Sequence, residues 1–271
     1  MPHSKINGLN IFYELFGDSK NETLVMTHGL GGNGRGYEAQ IPDFSKNYQL
    51  LLWDMRGHGK SDRPDAEAGV YTRDTHASDL AGLLDNLKIA KAHIHGHSLG
   101  GLIAQQFALN YPDKTLSLIV QDSSAEIKEE YVAGWDSRLK DISDNGIESI
   151  PVDYTRGWGK KFSEANKDYI DARHEESIAR NDAFVYVEDM RISGQDLFEN
   201  PLAPHLESIN CPVLLICGEE DGTTPPGGHV RMSRAIKNSR LVILPEVGHF
   251  PNVESPDAYS EAIMNFLDGT K

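Results

Sequence analysis

Cysteine, basic side chains and long apolar runs are all scarce in this sequence of 271 residues. The two cysteines, Cys211 and Cys217, flank the apolar run Pro212–Ile216 and lie too far apart along a strand to be bridged within it. We therefore expect two buried, reduced thiols. No apolar stretch is long enough to cross a bilayer, and the start MPHSKINGLN lacks the layout of a signal peptide. These features predict a cytoplasmic protein with no membrane partner.

The charge is unbalanced in one direction, with 26 basic against 41 acidic side chains and a net charge of −15. Such a surface repels nucleic acid and anionic membranes, so neither is an expected partner. With 39% hydrophobic and 25% charged residues, the composition is that of an ordinary soluble globular protein. The composition does not decide whether the protein forms homo-oligomers.

Short apolar runs alternate with helical patterns along the chain, which predicts an α/β fold: a mostly parallel, twisted sheet of about eight strands with helices on both faces. The predicted strands are Ile6–Phe16 (a hairpin around Gly8), Leu24–Thr27, Leu50–Trp53, Ala92–Gly96, Leu116–Gln121, Val213–Cys217 and Leu241–Leu244. The predicted helices between them are Thr75–Leu87, Ser98–Asn110, Val230–Lys237 and Asp257–Leu267.

This alternation stops between residues 123 and 204, where helical patterns occur without strands. Residues 123–204 are therefore predicted to form a helical cap, or lid, inserted between two strands. Residues 1–122 and 205–271 are predicted to form the core domain.

Two incompatible sites can be predicted from the stretch KAHIHGHSLGG. The alternating histidines His93, His95 and His97 would share one face of a strand, as zinc ligands do. A histidine zinc site needs three or four converging ligands, however, and no aspartate follows at the spacing of known metallo-hydrolase motifs. We expect His93 and His95 to be buried, hydrogen-bonded residues and predict no metal.

The same stretch contains Gly96-His97-Ser98-Leu99-Gly100, which has the G-x-S-x-G spacing of a tight turn between a strand and a helix. An apolar strand precedes it and an apolar-periodic helix follows it, as that turn requires. Such a turn exposes a serine oxygen at the sheet edge and directs the helix N-terminus towards developing negative charge. This motif predicts that Ser98 is a nucleophile.

A serine nucleophile needs a base, and the base needs an orienting acid. Asp221 follows one predicted strand in GEEDGTTPP, and His249 follows the next in GHFPNVESP. Because both loops open at the carboxyl edge of a parallel sheet, they are predicted to lie beside the serine turn.

These segments resemble those of the α/β-hydrolase superfamily, and within it the 3-oxoadipate enol-lactonase and small carboxylesterase/lactonase group. The resemblance rests on HGLGG (28–32), DMRGHGKSD (54–62), GHSLGG, GEEDGTTPP and GHFPNVESP and spans the sheet and its loops. The segment 123–204 has no specific match.

The resemblance implies Ser98 as nucleophile, His249 as base and then acid, and Asp221 as the group that orients His249. It implies an oxyanion hole formed by the backbone N–H groups of Leu30 and Leu99. The implied activity is hydrolysis of a small carboxylic ester or lactone, with acyl-homoserine lactones among the candidates and no cofactor. Relatives with this triad also cleave C–C bonds or form peracids, and both remain alternatives.

The acid has competitors within the sequence. Glu219 and Glu220 are adjacent to Asp221, and Asp122 ends an earlier strand where some relatives carry their acid. The turn residues that follow Asp221, Gly222 and Pro225-Pro226, favour Asp221.

The loop Gly29–Gly34 also fits G-x-G-x-x-G, and Asp54 ends the next predicted strand, as in a dinucleotide-binding oxidoreductase. That loop must open directly into a helix, whereas here Gly36 prolongs it and Pro42 interrupts the next segment. We expect a loop that approaches the nucleophile instead.

Several further side chains are candidates for contacts to the substrate. Arg56 and His58 are interpreted as residues that secure a glycine-rich turn. The candidates for lining the substrate pocket are Trp135, Tyr154, Trp158 and Phe250.

Overall fold

The computed structural model describes residues 2–64 and 70–270, and its centre is an eight-stranded sheet. The strands are β1 His3–Ile6, β2 Leu9–Phe16, β3 Thr23–Thr27, β4 Gln49–Trp53, β5 Ala92–His97, β6 Thr115–Gln121, β7 Val213–Gly218 and β8 Ser239–Leu244. Each predicted strand is present, most of them extended by one or two residues at an end, so the predicted α/β fold is confirmed.

The strand order is β1-β2-β4-β3-β5-β6-β7-β8. β1 and β2 form an antiparallel hairpin that turns at Gly8, whose φ of 87° suits glycine, and β2 pairs antiparallel with β4. All remaining pairs are parallel. Because the strands from β3 to β8 run in one direction, the loops that follow them open at one edge of the sheet.

Helices cover the sheet and fill the long connection between β6 and β7. They are α1 Ile41–Phe44, α2 Arg73–Asn86, α3 Leu99–Asn110, α4 Glu129–Asn145, α5 Lys160–Ala165, α6 Lys167–Arg180, α7 Ala183–Arg191, α8 Leu197–Glu199, α9 Gly227–Ala235, α10 Pro251–Glu254 and α11 Pro256–Asp268. α2 begins earlier than predicted because Thr72 and Thr75 form a capping box there. α9 is shifted towards Pro225-Pro226, which start it.

The core has two layers, one on each face of the sheet. Alternate residues of β3 point to opposite sides: Val25 packs in the cluster that includes α2 and α3, whereas Leu24 and Met26 pack in the cluster that includes α11. β3, β5 and β7 are buried along their whole length. Burial on both faces explains why β3 and β7 are largely apolar runs in the sequence, whereas β5 contains histidines that are buried with hydrogen-bond partners.

Between β6 and β7, the described residues form helices joined by loops and no strand, and we refer to residues 123–204 as the helical segment. The chain leaves α-helical geometry at Ile192–Asp196, a π-helix that joins α7 to α8. The sequence predicts one helical pattern there and shows no signal for the interruption. Leu139, Ile142, Val187 and Met190 form a separate small core in this segment.

Membrane-spanning helices were expected to be absent. None of the helices in residues 2–64 and 70–270 combines the length and apolar composition needed to cross a bilayer.

Candidate active site

Ser98 occupies the turn between β5 and α3 in a strained backbone conformation, with φ 54° and ψ −117°. A non-glycine residue adopts positive φ only where its surroundings hold it there. The Ser98 N–H donates to the Gln121 carbonyl at 2.9 Å, and the Ser123 hydroxyl donates to the Ser98 carbonyl at 2.7 Å. Both backbone groups of the serine are therefore fixed by the end of β6.

Two glycines make this turn sterically feasible. A Cβ added to Gly96 would lie 1.9 Å from the Gly100 carbonyl oxygen, and one added to Gly100 would lie 2.4 Å from the His28 carbonyl oxygen. Atoms cannot approach so closely. The spacing of the motif thus follows from the close contact between strand, helix and the loop after β3.

Asp221 and His249, which are 28 residues apart, meet at the carboxyl edge of the sheet. Asp221 lies in the loop after β7 and His249 in the loop after β8, and Nδ1 of His249 lies 2.8 Å from Oδ2 of Asp221. Both are buried. The Nδ1–H group donates to the carboxylate. In this tautomer Nε2 of His249 carries the free lone pair and can accept a proton.

Thr224 completes the surroundings of this carboxylate. Its hydroxyl donates to Oδ2 of Asp221 at 2.6 Å, and the backbone N–H groups of Thr223 and Thr224 donate to Oδ1 at 2.8 and 3.0 Å. Burial alone would raise the pKa of Asp221, but the charge of His249 and these hydrogen bonds lower it below its usual value. Asp221 is therefore ionised when His249 takes up a proton.

Asp122 lies beside Asp221 but makes no hydrogen bond to His249. Its Oδ1 accepts a hydrogen bond from the Gly218 N–H at 2.9 Å. Burial and the charge of Asp221 raise the pKa of Asp122 well above its usual range, which favours its uncharged form. Asp122, Asp221 and His249 each place one possible metal ligand atom within 4.8 Å of the others. A cation there would have to displace the hydrogen bond between Asp221 and His249.

His97 links the serine turn to the histidine loop. Its Nε2 donates to the backbone carbonyl of His249 at 2.8 Å, and the two rings lie 4.8 Å apart. Burial is the main cause that lowers the pKa of His97 well below its usual value, so the ring is neutral. The residue before Ser98 thus holds the loop that carries His249.

The backbone N–H groups of Leu30 and Leu99 lie on two adjacent segments. A Cβ added to Gly29 would lie 3.2 Å from Cβ of Ser98, so the loop after β3 contacts the serine turn directly. Leu99 begins α3, where the first N–H groups have no partner in the helix. Within the described ranges, 2–64 and 70–270, neither N–H group donates to another group of the protein.

The loop that carries Leu30 is held on both sides of Gly31. The Gly31 N–H donates to Nε2 of His58 at 3.3 Å, and the Gly31 carbonyl accepts from Nδ2 of Asn181 at 2.8 Å. Asp189 of α7 in turn lies 3.5 Å from Nδ1 of His58 and 2.8 Å from Nε2 of His76. The helical segment is therefore connected to the loop after β3 through a buried network. His76 and Asp189 carry no local sequence signal, and this network was not predicted.

The helical segment also holds the two loops at the opposite side of the site. The His249 N–H donates to the Gly157 carbonyl at 3.0 Å, and the Gly222 N–H donates to the Arg156 carbonyl at 2.8 Å. The Glu254 carboxylate accepts from three backbone N–H groups, those of Gly159, Gly248 and Phe250. No local sequence pattern around Glu254 predicts this role, and it was not predicted.

The four predicted pocket residues divide into two pairs. Trp158 is buried against Phe250, with ring centroids 4.6 Å apart, and the Phe250 ring lies 5.2 Å from that of His249. Trp135 packs against Gly194 and the small core of the helical segment. Tyr154 is half-buried and its hydroxyl donates to Asp171. Only Trp158 and Phe250 are therefore connected to His249 by ring contacts.

The alternating histidines of β5 have separate protein partners. Nδ1 of His93 lies 2.8 Å from the Ser117 hydroxyl, and Nε2 of His95 lies 3.0 Å from Oε1 of Gln121. Both rings are buried, as predicted, and burial lowers the pKa of His95 to about 3. The two cysteines are free thiols; Cys217 is buried as expected, whereas Cys211 is only half-buried, and desolvation still raises its pKa to about 11.

The glycine loop after β3 does not open into a long helix. It continues into a 3₁₀ helix at Gly34–Gln40 and then into the four-residue α1. Asp54 accepts hydrogen bonds from the N–H groups of Gly34 and Lys60, both at 2.8 Å. It therefore fastens the loops after β3 and β4. Arg56 forms a bidentate ion pair with Asp79 at 2.6 and 2.7 Å, which occupies its guanidinium.

Known proteins resemble this chain over nearly its whole length. A family model described as alpha/beta hydrolase fold matches residues 22–256. The putative carbamate hydrolase RutD of Caulobacter sp. (strain K31) is 29% identical over 272 residues, which cover 99% of each chain. The 3-oxoadipate enol-lactonase 2 of Acinetobacter baylyi is 30% identical over 93% of this chain and 90% of its own.

The fold agrees with that of solved structures. The crystal structure of the enol-lactonase from Burkholderia xenovorans LB400 has a TM-score of 0.87 and 26% identity, and the match covers 98% of this chain and 100% of that one. The chain therefore belongs to the α/β-hydrolase fold family and is a hydrolase.

Proposed function

We propose that this hydrolase cleaves small carboxylic esters or lactones through an acyl-enzyme formed on Ser98. The observation that carries the proposal is a strained serine turn beside a buried His249–Asp221 pair, joined to it through His97. Nucleophile, base and orienting acid are the three groups that this chemistry requires.

In the first half of the reaction, the Ser98 hydroxyl oxygen attacks the carbonyl carbon of the substrate while Nε2 of His249 takes the hydroxyl proton. Asp221 accepts the Nδ1–H hydrogen bond, and this interaction stabilises the imidazolium that forms. The tetrahedral intermediate then collapses, the bond to the alcohol oxygen breaks, and His249 returns its proton to that oxygen.

The negative charge of the tetrahedral intermediate is assigned to the N–H groups of Leu30 and Leu99, which have no partner within residues 2–64 and 70–270. Each such donor contributes roughly 3–4 kcal/mol to lowering the barrier. In the second half, His249 takes a proton from water as the water oxygen attacks the acyl carbon; the bond from that carbon to the Ser98 oxygen then breaks, His249 returns the proton to Ser98, and the carboxylic acid is released. No step requires a metal or an organic cofactor.

The relatives support this reaction class. One is named as an enol-lactonase and another as a putative carbamate hydrolase, and in both names the bond that is hydrolysed joins a carbonyl carbon to a heteroatom. Esters and lactones need no further chemistry beyond the groups described above, so they are proposed here before C–C cleavage or peracid formation.

The test combines a substrate panel with the Ser98→Ala variant. Purified protein is assayed on p-nitrophenyl acetate and butyrate, acyl-homoserine lactones and enol-lactones. We expect turnover of at least one class, and a loss on the order of 10⁴-fold or more in Ser98→Ala with an unchanged melting temperature. A fluorophosphonate probe should label the unmodified protein and not the variant.

Two results would contradict the proposal. Turnover retained by Ser98→Ala would exclude the acyl-enzyme. Activity lost on chelation and restored by zinc would assign the chemistry to a metal at the group formed by Asp122, Asp221 and His249.

A further inference from the structure

Arg173, on α6, is a cation near the candidate active site whose charge has no acidic partner. Among residues 2–64 and 70–270, no carboxylate oxygen lies within ion-pairing distance of its guanidinium. Its one hydrogen bond from the guanidinium is long, 3.4 Å from Nη1 to the Tyr169 hydroxyl.

The two arginines buried in the core are arranged differently. Arg56 is paired with Asp79 at 2.6 Å, and Arg73 is paired with Asp196 at 3.0 Å. A guanidinium withdrawn from water is normally paired in this way because an unpaired charge is costly to bury. Arg173 is half-buried, and none of the ion pairs among residues 2–64 and 70–270 includes its guanidinium.

Aromatic rings hold the guanidinium in place over the candidate site. Its central carbon lies 4.7 Å from the centroid of Phe250 and 5.7 Å from that of Trp158. Stacking on a ring uses the face of the planar group and leaves its N–H edge available for hydrogen bonds. Arginine stacked in this way is well suited to bind a carboxylate through two parallel hydrogen bonds.

The same rings connect Arg173 to the proposed catalytic groups. Phe250 directly follows His249, and its ring lies 5.2 Å from His249 and 5.4 Å from His97. The positive charge of Arg173 is one of the causes that lower the pKa of His97, the residue before Ser98. Arg173 is therefore close enough to Ser98 to contact another part of a substrate bound there.

We propose that Arg173 is a binding site for a carboxylate carried by the substrate, so that this protein acts preferentially on esters or lactones with a negatively charged acyl or alcohol part. The inference rests on the proposed function and deepens it by naming the substrate class. The guanidinium contacts the remote carboxylate and not the scissile bond, which makes Arg173 a binding residue and not a participant in proton transfer.

The experiment compares pairs of esters that differ only in this charge. On the acyl side the pair is the p-nitrophenyl monoester of glutaric acid and its methyl ester. On the alcohol side the pair is 4-acetoxybenzoate and its methyl ester. For each pair, the ratio of kcat/KM for the anionic and neutral members is measured in the unmodified protein and in Arg173→Met. The anionic-to-neutral ratio is determined separately for each protein and then compared between the two proteins. Differences in intrinsic reactivity between the two esters therefore cancel.

We expect the unmodified protein to favour the anionic member of at least one pair. Arg173→Met should lower kcat/KM for that anion by about 10–100-fold, the range for hydrogen bonds to a charged group, and change the neutral ester by less than about twofold. Arg173→Lys should retain part of the preference. The pair that responds identifies which side of the substrate carries the carboxylate.

Arg138→Met is the matched control, since Arg138 is an exposed arginine on α4 of the same helical segment. It removes the same charge from the protein and should leave both ratios unchanged. If the ratio of kcat/KM for the anionic and neutral esters fell equally in Arg138→Met, only the net charge of the protein would matter, and the proposed carboxylate site at Arg173 would be wrong. Equal ratios in the unmodified protein and Arg173→Met would overturn it as well.

Binding of glutarate, measured by calorimetry, separates this inference from the proposed function. If no ester is turned over but glutarate binds and the binding is lost in Arg173→Met, the anion site holds and the reaction class is wrong. If esters are turned over without any preference for the anions, the reaction class holds and the anion site is wrong. Arg173→Gln, which keeps a polar side chain, replaces Arg173→Met if the latter has a lowered melting temperature.

Discussion

The imidazole of His97 donates a hydrogen bond to the carbonyl oxygen of His249 at 2.8 Å, across 152 positions of sequence. One end of this contact adjoins the nucleophile candidate Ser98, and the other belongs to the base candidate. His97 is buried and its lowered pKa favours the neutral ring, and the contact ends on a backbone carbonyl, so it does not depend on the charge of the His249 side chain. It therefore fixes the distance between two loops that the proposed reaction brings together.

Replacing His97 tests this contact. His97→Phe keeps a ring of similar shape but cannot donate to the His249 carbonyl. We expect kcat for a p-nitrophenyl ester to fall about tenfold, since a hydrogen bond contributes about 1 kcal/mol and the histidine loop gains freedom. Labelling by a fluorophosphonate should slow in parallel. An unchanged kcat would show that the loop is held by its other contacts alone.

The two neighbouring aspartates are expected to differ in their effect on turnover. Asp221→Asn removes the acceptor for Nδ1–H of His249, and we expect kcat to fall on the order of 10⁴-fold because the imidazole is left in the wrong tautomer. Asp122→Asn replaces a carboxyl group that makes no hydrogen bond to His249 and whose raised pKa favours the uncharged form, so we expect less than about a tenfold change. The assay is hydrolysis of p-nitrophenyl butyrate. A larger loss in Asp122→Asn would reverse the assignment of the acid.

Steric exclusion at the serine turn predicts the result of adding a single methyl group. Gly100→Ala places a Cβ 2.4 Å from the His28 carbonyl, a backbone atom that cannot move independently. We expect destabilisation of about 3 kcal/mol or more in urea unfolding. Gly134→Ala, in α4 with no heavy atom within 4 Å of the new Cβ, should instead stabilise by about 0.5–1 kcal/mol. Similar effects at both positions would contradict the packing described here.

The buried histidines predict a loss of stability in mild acid. The pKa of His95 is lowered to about 3 in the folded chain, whereas an unfolded chain has a value near 6.5. Protons therefore bind the unfolded state more tightly, and the stability present above pH 6.5 is lost as the pH falls towards 3. For His95 alone this loss is about 2 kcal/mol between pH 7 and pH 5.

The measurement for His95 is the free energy of unfolding in urea at pH 7 and pH 5. His95→Gln should show a smaller difference between the two pH values than the unmodified protein, by about this amount. An identical difference in both proteins would show that His95 titrates normally.

Much of the fold could be predicted because its signals are local. Strands buried on both faces are mostly apolar, so β3 and β7 are visible as runs such as LVM and VLLIC. The serine turn also depends on residues within five positions, since Gly96 and Gly100 are required by contacts made inside and beside the motif. The interruption of the helix at Ile192–Asp196 has no such signal, because packing and not propensity decides it.

Other features depend on tertiary contacts between residues that are far apart in the sequence. The sequence places Asp122 and Asp221 at the ends of adjacent strands, but the charge of His249 and the three donors at Thr223 and Thr224 keep Asp221 charged against the opposing effect of burial. Asp189, Glu254 and Arg173 look like ordinary helix residues in the sequence. Their environments depend on the packing of the helical segment against the sheet edge, which no local pattern encodes. The sequence by itself thus determined the sheet and the motif around Ser98, whereas tertiary contacts determined which buried charges are paired, because those pairs join residues far apart in the chain.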